Sequence, residues 1–258
     1  LLAGETPSGK PASGTYVRDI AATLHLMFKS AVKDKHMPNN PCDYAEAPGR
    51  DTKERKTIRY GAIVKLLDKL DPRDPVQFAL RAMIKNGIRR EEAVALDVID
   101  ADFAHTIIHI RHGSDALGKK ETKTPAGERD LPMTESFRND LRVRIAQIEE
   151  DFREIREDIG MPYPVLTDDT PLVCNKLGER LKPDAPTHWW RANRERLGYP
   201  DITPHDLRHS YLSELARRKV EPKVLQKIAG HADYRTTMGI YVHVDLEDMQ
   251  EALEVVDW

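Results

Sequence analysis

Cysteine is almost missing from this sequence. The 258-residue chain holds two, Cys42 and Cys174, and neither lies in the close spacing that a metal site or a disulfide framework uses. Both read as reduced thiols of a cytoplasmic protein. Long apolar runs are missing too. No stretch approaches the ~20 residues of a membrane span, and the opening LLAGETPSGKPASG lacks a signal-peptide layout, so no membrane partner is expected. There is no internal repeat and no long low-complexity tract. An initiator Met is also lacking, which predicts a piece of a longer protein.

A strong charge of one sign is absent as well. The formal net charge is −3, which at first argues against a nucleic-acid partner. The balance is uneven, however. The stretch from Asp245 to Trp258 carries six acids and neither Lys nor Arg; taking those six from the total of 43 leaves 37 acids against 40 basic residues. Local clusters therefore carry more information than the mean. Between Lys176 and Arg196 six basic residues face three acids, a face suited to phosphate contact or to plain solvation.

The apolar periodicity is mostly helical. Val17, Ile20, Leu24, Phe28 and Val32 predict a helix that stops near H36-MPNNPCD. The charged stretch E46-APGRDTKERK56 then reads as a linker between domains. Helices follow around Ile63–Leu70, Val76–Gly87 and Arg89–Leu96. D102-FAHTIIHIRHG113 has the β-branched alternation of a strand, and E128-RDLPM133 is its returning partner across a loop bearing Lys119, Lys120 and Lys123. Beyond it lie helices over 135–155, 187–198 and 205–228, and an amphipathic tail marked by Leu246, Met249, Leu253 and Val256. The fold class expected is mainly α with a small antiparallel β-sheet (α+β). Residues 1–48 read as part of a small helical domain, 49–56 as a linker and 57–258 as the main domain.

The chemistry concentrates in H205-D-L-R-H-S210. His205 and His209 are four apart and share a helix face, as zinc ligands of the H-E-x-x-H kind do. Asp206 is one methylene shorter than the Glu of that motif, and Arg208 would set a cation beside the metal. The alternative reading pairs His205 with Arg208 over a phosphate. Farther on stand His231, after Gly230, and Tyr241, ten residues later.

Taken together, TPHDLRHSYL, the turn I228-A-G-H231 and the segment T237-M-G-I-Y241 resemble the C-terminal signature of the tyrosine recombinases, the phage-type integrases. The similarity extends upstream. N86-GIRREEAVALDVID100 resembles the family's first arginine segment, placing that arginine at Arg89 with Glu92 as its acidic neighbour. T122-KTPAGERDLP132 resembles the lysine hairpin, placing the lysine at Lys123. The likeness spans about residues 56 to 244 with its elements in order, and the helix from Thr15 resembles the last helix of the family's core-binding domain.

The resemblance implies a site-specific DNA recombinase acting through a 3′-phosphotyrosine. A phenol with an ordinary pKa near 10 must attack a phosphodiester near neutral pH. Arg89 and Arg208 would neutralise the phosphate in the bidentate way that lysine cannot. Lys123 would protonate the leaving 5′ oxygen, His205 would manage the tyrosine's proton, His231 would bond the phosphate and Tyr241 would be the nucleophile. Fixed cations do the electrostatic work, so neither a metal nor another cofactor is called for. Expected partners are double-stranded DNA recombination sites and three further copies in a homotetramer, in the cytoplasm on the nucleoid of a cell carrying a mobile genetic element.

Several alternatives stay open at this point. Arg90 rivals Arg89, Lys119 and Lys120 rival Lys123, and Tyr211 and Tyr234 rival Tyr241. Trp189 and Trp190 could stack on DNA or sit in the core. As whole-protein readings, a non-catalytic DNA-binding relative, a zinc hydrolase and a type IB topoisomerase compete with the recombinase.

Overall fold

The computed structural model describes residues 12–46, 56–121 and 127–241. The chain divides into two compact units, Leu1–Arg55 and Lys56–Trp258.

The described residues of the first unit form one long helix, α1 (Gly14–Lys33), and a short 3-10 turn over Pro41–Tyr44. Ser13 starts α1 by accepting from the Tyr16 N–H at 3.1 Å, which satisfies one of the helix's unpaired donors. Asn40 tacks the turn to the helix: its Oδ1 accepts from the Cys42 N–H at 2.9 Å and its Nδ2 donates to the His25 carbonyl at 3.1 Å. Val17 is buried, whereas Leu26 and Met27 are exposed.

The second unit begins with α2 (Tyr60–Leu67), α3 (Pro75–Asn86) and α4 (Arg90–Ala95). Helix α3 runs through the core, with Phe78, Leu80, Met83 and Ile84 all buried. Asp74 caps it by accepting from the N–H groups of Val76 and Gln77, and Pro75 fills the first position where no N–H is needed. Gly87 ends it at φ 62°, and a Cβ there would meet the Tyr211 ring at 2.6 Å. Both backbone and space therefore demand glycine at this position.

A three-stranded antiparallel sheet follows, ordered β1 (Ala101–Asp102), β2 (Ile107–Ile110) and, later in the chain, β5 (Arg129–Pro132). The expected pairing of the two strand segments is present, with Ile107 opposite Pro132 and Ile110 opposite Arg129. The described part of the segment between them, residues 111–121, is not the loop that the sequence suggested. β3 (His112–Asp115) and β4 (Gly118–Glu121) form a second hairpin, so Lys119 and Lys120 lie on a strand. Its tight turn is made by Asp115, which accepts from the Leu117 N–H, and by Gly118 at φ 118°.

The remaining helices among the described residues are α5 (Glu135–Ile159), α6 (Ala185–Leu197), α7 (Pro204–Arg217), α8 (Pro222–Ala229) and α9 (Tyr234–Tyr241). The helical run expected over 205–228 is two helices. Lys219 takes a left-handed φ of 59°, and Pro222, which has no N–H to give, starts α8. Phe78 of α3 stacks on Phe137 of α5 with ring centroids 6.2 Å apart. Trp190 is buried with its indole N–H on the Ile202 carbonyl, and Trp189 packs against the same core. The tryptophan pair therefore belongs to the interior. Among the described residues no helix is long and apolar enough to cross a membrane.

Candidate active site

Because α3 stops at Gly87 and Ile88 is buried, the chain turns back and leaves Arg89 as the residue before α4, with extended φ and ψ. Its backbone N–H donates to Glu92 Oε2 at 2.8 Å, in the manner of a capping box. Its guanidinium gives Nη1 to Glu92 Oε1 at 2.6 Å and Nη2 to the Gly230 carbonyl at 2.5 Å. One third of the side chain, 33%, remains exposed. Arg90 points elsewhere, to Thr187 Oγ1 and Glu91.

Glu92 is buried and serves two arginines. Arg129 on β5 meets it with two N–H···O bonds, at 3.0 and 2.8 Å. Burial by itself would raise the carboxyl's pKa. The Arg129 and Arg89 guanidiniums overcome that and hold it down at about 2.

Arg208 lies one turn into α7, only 3% exposed. Its Nη1 donates to the Gly87 carbonyl and its Nη2 to the Ala229 carbonyl, the latter at 2.6 Å. Burial, then the neighbouring Arg89 charge, pull its pKa down to about 9. Arg89 and Arg129 thus share one buried carboxylate, and Arg208 feels its charge from nearby. The cluster carries surplus positive charge, the condition that an incoming phosphate would relieve.

His231 follows Gly230, which ends α8 at φ 63°. Its Nε2 is 3.4 Å from Arg208 Nη2 and its Nδ1 is 3.0 Å from Thr237 Oγ1. Arginine can only donate, so Nε2 accepts and Nδ1–H donates to Thr237. Thr237 is fully buried on α9, and it links the His231 turn to the helix that carries Tyr241.

The structure brings Arg89, Arg208 and His231 together. Tyr241 is held differently: its hydroxyl donates to the Val220 carbonyl, in the turn before α8. Burial, then Tyr234 and Glu221, raise its pKa. His205 is exposed in the first turn of α7, on the same helix face as Arg208 three residues on. Lys123 lies outside the described residues, as does the tail beyond Tyr241. Beside Arg89 lies an open cleft of about 590 Å³, also lined by Ser114, Lys120, Gly127 and Gly230.

The zinc reading fails on its donors. Asp206 turns back to cap α7, accepting from the Thr203 N–H at 2.9 Å and from the Thr203 hydroxyl at 2.7 Å. His209 is buried with Nδ1 against Ser213 Oγ at 3.1 Å, while His205 is exposed. Among the described residues no group of three His, Cys, Asp or Glu side chains could hold a metal.

Two residues at the site lie in motifs the sequence reading quoted but were given no role there, Arg129 and Thr237. Arg129 carried a signal: it shares the inward face of β5 with Leu131, and a guanidinium on an inward face must find a carboxylate there.

Residues 58–248 match the model of the phage integrase family. The chain belongs to that family. Among its family relatives, the tyrosine recombinase XerC of Herpetosiphon aurantiacus is 31% identical over 240 residues, covering 90% of this chain and 70% of that protein. The transposase of transposon Tn916 from Enterococcus faecalis is 26% identical, covering 90% of this chain and 59% of the transposase. The Tn1549 transposon integrase in complex with a circular intermediate DNA has the same fold, with a TM-score of 0.71 at 20% identity, over 95% of this chain and 80% of that one. XerH recombinase bound to its palindromic difH substrate gives 0.63 at 18%, over 95% and 68%. The mainly α architecture with a small antiparallel sheet is thus that of the tyrosine recombinase catalytic domain.

Proposed function

We propose that this phage integrase family member cuts and rejoins double-stranded DNA at specific sites through a 3′-phosphotyrosine on Tyr241. The observation that carries the reading is the meeting of Arg89 and Arg208 in a cluster built around the buried Glu92 carboxylate. A phosphodiester bound there receives two guanidiniums, each braced by main-chain carbonyls. Charge growing on its nonbridging oxygens meets donors that need not reorganise.

In this reading Tyr241 attacks phosphorus and His205 manages the phenolic proton. His231, once protonated at Nε2 and turned from Arg208 to the DNA, donates to the phosphate, and Lys123 protonates the departing 5′ oxygen. The phosphotyrosine keeps the energy of the broken linkage, so a 5′ hydroxyl from a second duplex can reverse the step and exchange strands. Residues 1–48 serve as part of a core-binding domain, with 49–56 as its linker to the catalytic domain. Four copies assemble on two recombination sites, and the enzyme works on the nucleoid in the cytoplasm.

One observation favours a second reading. The Tyr241 hydroxyl is engaged by Val220, which suits a relative that binds DNA without cutting it. A nicked duplex from the carrier element's own end, incubated with the protein in EDTA and run on a denaturing gel, separates the two. A covalent adduct that disappears in Tyr241→Phe supports the recombinase, whereas bound DNA without an adduct supports the binding protein.

A further inference from the structure

The last turn of α8 presents three successive carbonyls, and a different arginine takes each one. Ile228 O accepts from Arg129 Nε at 2.9 Å, Ala229 O from Arg208 Nη2 at 2.6 Å and Gly230 O from Arg89 Nη2 at 2.5 Å. These carbonyls lack partners within their helix and sit at its negative end, so guanidiniums suit them. Arg208 and Arg89 already belong to the proposed phosphate clamp. Arg129 does not: its side chain is 6% exposed, and it is not among the residues that line the cleft.

We infer that Arg129 is a positioning residue for strand cleavage, one that holds both anchors of Arg89 at once. The guanidinium of Arg89 hangs between two acceptors, the Glu92 carboxylate and the Gly230 carbonyl. Arg129 grips the first directly, through both of its terminal nitrogens. It grips the second through Ile228, two residues upstream of Gly230 in the same turn. A further bond from Nη1 to the Gly127 carbonyl, at 3.0 Å, fixes Arg129 against its own strand entrance. Removing Arg129 therefore loosens the carboxylate and the helix end together, and Arg89 loses its fixed direction. A lysine there would keep a positive charge beside Glu92 but could not span a carboxylate and two carbonyls.

The inference rests on the recombinase reading, and the test keeps the two apart. Arg129→Lys and Arg129→Gln are compared with the wild type for adduct formation on a nicked duplex, for DNA affinity and for thermal unfolding. The combination of Arg129→Lys with Arg89→Ala completes a cycle. In folded Arg129→Lys the adduct rate is expected to fall about 100-fold while DNA affinity changes less than about threefold. In the Arg89→Ala background the same substitution should cost little more, because Arg129 acts through Arg89. A folded variant that cleaves within about twofold of the wild type overturns the inference. So do factors that simply multiply in the cycle, and so does a loss of adduct that tracks only the loss of folded protein. A wild type that binds the duplex and forms no adduct overturns the recombinase reading, and the inference falls with it.

Discussion

Replacing Glu92 by Gln tests the electrostatics of the site without changing its size. The carboxyl drops from an ordinary value of 4.5 to about 2 in the folded protein, which corresponds to about 3 kcal/mol of stabilisation. A group whose folded pKa lies below its unfolded pKa contributes fully at pH values above the unfolded one. The contribution disappears as pH falls through the folded value. Wild type should therefore exceed Glu92→Gln by about 3 kcal/mol at pH 7, and roughly half of that gap should be gone by pH 3. Urea unfolding followed by tryptophan fluorescence, to which the buried Trp190 contributes, at intervals from pH 7 to pH 3, measures the gap directly. Other carboxyls titrate alike in both proteins and cancel. A gap that stays constant over that range, or widens as pH falls, would refute the claim that Arg129 and Arg89 hold Glu92 ionised.

Three further substitutions bear on other parts of the account. Gly87→Ala should lose about 2 kcal/mol or more in urea unfolding, from the left-handed backbone and the Tyr211 ring together, and should slow cleavage because Gly87 O braces Arg208. Asp140→Asn removes the charge shared by Arg81 and Lys85 in the core; unfolding measurements should show a loss of about 3–5 kcal/mol, with adduct formation per folded molecule unchanged. Arg208→Lys should reduce the adduct rate at least about 100-fold while filter binding shows DNA affinity nearly intact.

Much of the fold could be read from the chain because local signals and tertiary packing agree. The 3.6-residue spacing that ends at a glycine marked α3, and the alternation in Ile107–Ile110 and Arg129–Pro132 marked the sheet. Where the reading fell short, the deciding contacts were between distant segments or were masked by composition. Lys119 and Lys120 looked like loop residues, yet they pair with β3, and Lys119 meets buried Asp97 while Lys120 meets Asp115. The break between α7 and α8 turns on Lys219 and Pro222, inside a run whose apolar residues keep a helical rhythm. The positions proposed for the chemistry followed from the resemblance to the recombinase motifs, but a motif says nothing about a hydroxyl's partner. The bond from Tyr241 to the Val220 carbonyl joins residues 21 apart in sequence, and the pairing of Arg129 with Glu92 joins residues 37 apart.

The measurement closest to the central claim identifies the residue that carries DNA. After reaction with a nicked duplex, trypsin digestion and nuclease trimming, mass spectrometry locates the nucleotide-modified peptide. The peptide that begins at Thr236 holds Tyr241 as its one tyrosine, whereas Tyr234 and Tyr211 fall in separate peptides. The account predicts the nucleotide on the Thr236 peptide, at Tyr241. A nucleotide on the peptide of Tyr234 or Tyr211, or DNA bound with no modified peptide, would contradict it.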